Sequence, residues 1–259
     1  MTIQDIIEAF IDSISLPIEY LDNPEKRIYY IYLISSLLLA YYVFRKSKKH
    51  RSFVKYIFNK RVWLSSSAFV DYKLFIFNSF VKIFLITPFL VGAIYFSMTI
   101  ENLLIKEIGY STIQLSKTET LIYYTLALTI FNDLLSYISH FLFHKITFLW
   151  EFHKIHHSAT VLNPITQYRL HPIELIFNNI KFILVFGLLT GLFEYLSGGV
   201  VSKYTFLEVN VLSFLFLCWG SNLRHSHVKL KYFNFLEYIL ISPFQHQLHH
   251  SDNPKHYNK

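Results

Sequence analysis

Thr120–His144 reads TLIYYTLALTIFNDLLSYISHFLFH, and two patterns meet in it. Its first part, as far as Ile138, is an apolar run of the length that crosses a bilayer. Its end carries His140-x3-His144, two imidazoles one turn apart on one helix face, able to serve one metal ion or two adjacent ones. A span that delivers histidines at its end predicts a metal centre at a membrane surface, because neutral imidazole suits Fe, Zn, Cu and Ni. Asp133 and Tyr137 fall on the His140 face at i−7 and i−3. Asp133 is thereby placed to orient a ligand imidazole through its N–H; the alternative is a buried acid on a channel-facing stripe.

Toward the C-terminus the pattern repeats. Ten of the thirteen histidines fall into four short groups: His140-x3-His144, His153-x2-His156-His157, His225-x-His227 and His246-x2-His249-His250. On a helix, i and i+3 share a face and i+4 lies beside them, so one turn can serve two metal ions. His227, two residues past His225, would point elsewhere on a helix and is the weaker candidate of that pair. His171, within Tyr168–Glu174 (YRLHPIE), is either a ligand or part of the site wall. With Asp133 and Tyr137, Glu174 of that stretch completes the candidate residues beyond the ligands. His50, in a basic run, is expected to be solvated or lipid-facing, and His256 to face solvent.

Composition supports a membrane setting. Apolar residues make up 53% of the 259, aromatics 19% and charged residues only 16%, where a soluble domain carries about 25% charged. Mean hydropathy is +0.35. No Gly/Ser- or Pro-rich linker or repeat interrupts the chain, so residues 1–259 are expected to form one membrane domain, with an N-terminal part at 1–119 and the histidine-rich part at 120–259.

In the N-terminal part, Ile3, Ile6, Ile7, Phe10, Ile11 and Ile14 alternate with Asp5, Glu8 and Asp12, which predicts an interfacial helix rather than a cleaved leader, whose start would be basic. Five spans are expected, at about 28–44, 74–98, 120–138, 172–196 and 204–220. The fourth, interrupted by Asn178, Asn179 and Lys181, also reads as a buried helix of a soluble core, and the total is therefore four to five. Arg45, Lys46, Lys48, Lys49, Arg51, Lys55, Lys60 and Arg61 follow the first span and place that side in the cytoplasm. Alternating from there, every histidine group reaches the cytoplasmic face.

Other chemistries find little support. The formal charge of +7 comes largely from basic residues beside an apolar span, as in a juxtamembrane segment, and argues against nucleic acid as partner. A single cysteine, Cys218, excludes an internal disulfide and a thiolate cage and reads as an inert buried thiol. There is no GxGxxG, no haem-attachment motif and no Fe–S cysteine set, so a redox reaction would draw its electrons from a separate donor. A zinc-dependent membrane hydrolase lacks its HExxH, and the histidines are too many for one tetrahedral ion. A metal- or lipid-binding membrane protein without turnover stays open beside both.

HxxxH at His140–His144, WEFHKIHHS at Trp150–Ser158, YRLHPIE at Tyr168–Glu174, RHSHVKL at Arg224–Leu230 and SPFQHQLHHS at Ser242–Ser251 together resemble the sterol desaturase and fatty acid hydroxylase superfamily, in its bacterial form. The likeness covers residues 120–259; the first 119 match only in being membrane spans. The resemblance implies an all-α integral membrane protein with a cytosolic histidine-rich cap over two iron ions, zinc being able to replace them in isolated protein. It implies use of O2 and external electrons to hydroxylate or desaturate a lipid of fatty acyl, sterol or alkylglycerol type, in a bacterial inner membrane. His140, His144, His153, His156, His157, His225, His246, His249 and His250 take the ligand positions by this resemblance. Two departures stand out. Members commonly read HSN where this chain has His225-Ser226-His227, so either a ligand is added or an Asn contact is replaced. Relatives also usually continue beyond the last motif, where this chain stops at Lys259; only if such a tail closes the site is the 259-residue form incomplete or unable to turn over.

Overall fold

Backbone polar groups in apolar surroundings have no water to bond, and a chain this apolar satisfies them within helices. The computed structural model of the protein describes residues 2–47, 52–199, 201–203, 205–206, 209–251 and 253–256. Among the described residues its regular structure is helical apart from an antiparallel pair of two-residue strands, Thr205–Phe206 and Val209–Asn210. The expected solvated position of His50 lies outside the described residues.

In chain order the principal helices are α1 (Ile3–Glu19), α2 (Tyr30–Lys46), α3 (Ser66–Ile108), α4 (Lys117–Lys145), α5 (Thr147–His157), α6 (Pro172–Ser197), α7 (Val211–Cys218) and α8 (Pro243–His249). Among the described residues three helices, α3, α4 and α6, are long and apolar enough to cross a membrane. They contain the second, third and fourth expected spans.

The first and fifth expected spans come out short. α2 has 17 residues, about 25 Å of rise against a hydrocarbon core of roughly 30 Å. In the fifth, α7 has only 8 residues, about 12 Å. Its late start has a local cause, because the Asn210 side-chain oxygen accepts from the backbone N–H of Leu212 at 3.0 Å and of Ser213 at 3.4 Å, which caps a helix beginning at Val211. Its early end follows from Gly220, whose φ of +83° turns the chain into the Ser221–His225 turn.

Two compact units share these elements, each built from three stretches of chain. One comprises Met1–Asp12, Phe80–His153 and His171–Ser213; the other comprises Ser13–Ser79, Lys154–Leu170 and Phe214–Lys259. The first unit packs α4 and the second half of α3 against α6. Tyr124, Val185, Leu189 and Phe193 form its buried cluster, and the Tyr124 hydroxyl lies 2.6 Å from that of Thr190. Gly187 and Gly191, one turn apart on α6, let α3 approach closely, as small residues at this spacing do in membrane helices. A methyl at Gly187 would stand 3.0 Å from the Ala93 carbonyl oxygen, and one at Gly191 would run into the Ser97 carbonyl oxygen.

The second unit has two buried clusters. Tyr20, Ile28 and Phe75 form one, and Ala40, Leu223, Val228 and Leu230 the other.

Gly191→Val should lower stability by about 1–3 kcal/mol, because the backbone it meets cannot move aside as a side chain can. The thermal midpoint of purified protein in detergent measures this, and a midpoint equal to that of the wild type would show that the two helices have room to part.

Candidate metal centre

Within the second unit three separate pieces of chain bring imidazoles to one point. The first is the end of α5, which carries His156. The second is the Ser221–His225 turn, which ends on His225. The third is α8, whose start is fixed by a capping box: the Ser242 hydroxyl accepts from the Gln245 N–H and the Gln245 side chain accepts from the Ser242 N–H, with Pro243 in the first turn. α8 carries His246, with His250 one turn on.

Gln247, also on α8, holds the pieces in register. Its side-chain amide donates to the carbonyls of Leu223 and Val228, at 2.8 Å each, on either side of His225. The Phe244 N–H donates to the Leu230 carbonyl at 2.9 Å.

The result is a cluster of His156, His225, His246 and His250 whose nearest ring nitrogens all lie within 4.8 Å of one another. Nε2 of His225 is 3.2 Å from Nε2 of His156 and 3.1 Å from that of His246, which is 3.2 Å from Nε2 of His250. Two nitrogens bound to one ion at about 2.0–2.1 Å stand about 2.8–3.4 Å apart for angles between a right angle and a tetrahedral one. The three closest nitrogen pairs of the cluster fall in that range. Burial pushes the His225 imidazole well below its usual range, and burial with the neighbouring histidines does the same at His250. Neutral imidazole is the form that binds a metal.

Each ring nitrogen that faces away from such a point needs a partner of its own. For His156 it is the carbonyl oxygen of Arg169, 3.3 Å from Nδ1. His157 and His249 lie beside the cluster with ring centroids 4.8 Å apart, and His157 stacks on His250 at 4.4 Å.

The first unit gathers a second group. His140 and His144 on α4 lie with ring centroids 4.8 Å apart, and the ring of His153 on α5 stands 4.8 and 4.9 Å from them. His153 is 1% exposed. Its Nδ1 faces both oxygens of Glu174, at 3.2 Å each, so the carboxylate holds the proton on Nδ1 and leaves Nε2 basic. Glu174 sits in the first turn of α6, where the helix dipole favours its charge.

Asp133 does not make the contact expected of it. It and Tyr137 are exposed on α4, and seven residues of helix put Asp133 about 10 Å along the axis from His140, out of reach of that imidazole. Glu174 is the carboxylate set against a histidine. His171 is the N-cap of α6, its Nδ1 accepting from the Ile173 N–H at 3.1 Å, which commits that nitrogen to the backbone. His227 lies outside the cluster and donates from Nε2 to the Tyr56 carbonyl at 2.7 Å. His256 lies in the separate turn Pro254–His256. The sequence reading missed the capping box, Gln247 and the Gly187-x3-Gly191 spacing, although S-x-x-Q and G-x-x-x-G are short patterns open to inspection.

Comparison with known proteins places the motifs. A family model described as fatty acid hydroxylase matches residues 125–259. No curated protein and no solved structure matches the chain.

His225→Ala should remove the ion bound at the cluster, while His227→Ala should leave metal content unchanged; elemental analysis of the purified variants decides between ligand and bystander. Stability should also follow pH in one direction. The unfolded chain takes up protons near the ordinary histidine value of 6.5 that His225 and His250 refuse when folded. The metal-free protein therefore keeps its full stability above that pH and loses it progressively below. A thermal midpoint that rises on acidification would contradict the burial of neutral imidazoles.

Proposed function

The chain belongs to the fatty acid hydroxylase family, and from that premise we propose that it is a membrane-bound, non-haem diiron oxygenase that hydroxylates or desaturates a lipid. The family suggests an oxidoreductase acting on lipid with O2. The observation that carries the metal part is the convergence of four Nε2 atoms, neighbours 3.1–3.2 Å apart, in a chain with three helices long and apolar enough to cross a membrane.

One ion is proposed to lie among His156, His225, His246 and His250, and a second to draw on His140, His144 and His153 of the first unit, with Glu174 fixing the proton of His153. When bound, an iron pair supplies O2 activation for cleavage of a strong C–H bond. The protein's own part is to present neutral nitrogens and to hold the outer ring protons of His153 and His156 on fixed acceptors. Tyr137 and Asp133, exposed on α4 before His140, are proposed to meet the lipid rather than the ions. Fatty acyl, sterol and alkylglycerol substrates all fit this chemistry.

The setting follows from charge. The basic run from Arg45 to Arg61 marks the cytoplasmic side, so the protein is proposed to be multi-pass in a bacterial inner membrane with its histidine motifs facing the cytoplasm. α1 exposes Ile3, Ile7, Phe10, Ile14 and Ile18 and is proposed to lie in the interface. Electrons would arrive from a separate reductase or carrier protein.

Purified protein reconstituted with iron should consume O2 only when both lipid and a reductant are present, and should hold about two irons per chain with the Mössbauer spectrum of a coupled pair. Lipid cleavage without O2 would replace the oxygenase with a zinc hydrolase. Metal retention without any turnover would leave a binding protein.

A further inference from the structure

Asp71 lies near the start of α3, outside every histidine motif, and is 0% exposed. An acid inside an apolar helix is costly and is kept where it has a task. Its carboxylate meets three side chains. Oδ1 is 3.0 Å from Nε of Arg169, and Oδ2 accepts from the Asn163 amide at 3.0 Å and from the Thr166 hydroxyl at 2.7 Å. All three come from one short stretch of chain, and all are buried. The Arg169 guanidinium also donates to Ser67, to its hydroxyl at 3.3 Å and to its carbonyl at 3.2 Å. Ser67 and Asp71 are one turn apart, so a single face of α3 grips residues 163–169.

The grip delivers one main-chain atom to the metal centre. The Arg169 carbonyl oxygen stands 3.3 Å from Nδ1 of His156. A carbonyl only accepts, so it keeps the His156 proton on Nδ1 and leaves Nε2 as the metal-binding nitrogen, 3.2 Å from Nε2 of His225. Asp71, Arg169, His156 and the rest of the cluster belong to one compact unit.

We infer that Asp71 is a positioning residue for the metal centre, acting through Arg169 to set the tautomer and orientation of His156. The inference rests on His156 being a metal ligand. Its chemistry differs from that at His153, where a carboxylate touches the ring directly; here the carboxylate acts at one remove, through a backbone carbonyl.

Cobalt(II) binding to the purified full-length protein in detergent tests it, because the cobalt absorption bands report ligand number and geometry. Asp71→Asn keeps the size of the side chain and removes the charge opposite Arg169. It should weaken cobalt binding roughly 10- to 100-fold and alter the bands, with helix content by circular dichroism unchanged. Tyr124→Phe serves as the comparison, since it removes the buried Tyr124–Thr190 hydrogen bond of the other unit. It should lower the thermal midpoint and leave the cobalt bands alone. Wild-type affinity and bands in Asp71→Asn would overturn the inference, as would an equal loss of cobalt in Tyr124→Phe.

If Asp71→Asn does not fold, Thr166→Val, which removes one bond to Oδ2 and keeps the ion pair, should change the bands in the same sense but less; unchanged bands would again overturn it. If the wild type takes up no cobalt, the metal reading fails first. Nitrogen-15 NMR of the His156 ring then decides the inference alone: a proton held on Nδ1 in the wild type and mixed tautomers in the variant support it, and the same tautomer in both rejects it.

Discussion

Four imidazole Nε2 atoms crowd one point, neighbours 3.1–3.2 Å apart, and His156, whose Nδ1 proton the Arg169 carbonyl accepts, offers only a lone pair there. A cation placed among such nitrogens is what their crowding favours. Much of the second unit serves to hold that arrangement. Gly220 turns the chain so that His225 points inward, the Ser242–Gln245 capping box starts α8 in the right place, and Gln247 ties α8 to both sides of the His225 turn. Removal of water does the rest, because burial keeps His225 and His250 in the neutral form.

Two histidines of the same helix have their outer protons fixed by different acceptors. His153 meets the Glu174 carboxylate, and His156, one turn on, meets the Arg169 carbonyl. A carboxylate makes the ring a stronger donor than a neutral carbonyl does.

Much of this was legible in the residues. The Thr120–His144 stretch announced a long apolar helix with histidines at its end, and α4 is that helix. The spacing of His153, His156 and His157 required one helical turn, which α5 supplies. The second and fourth expected spans also lie within long apolar helices. Span five misled because an apolar run of suitable length does not show where a side chain will cap the backbone; Asn210 and Gly220 cut that run to the eight residues of α7. Asp133 misled because sharing a helix face is not the same as reaching along it.

Residue type and spacing by themselves determined the helical membrane class, the family and the set of candidate metal-binding histidines, because these depend on local periodicity and composition. The tertiary structure decided which histidines meet. It committed His171 to capping a helix and His227 to a backbone carbonyl, and it chose Glu174 over Asp133 as the acid beside a ring. It also brought Asp71, 85 positions before His156 in the sequence, to within one residue of it through Arg169. Contacts of that kind depend on how the chain returns past itself, and no short window of sequence carries that information.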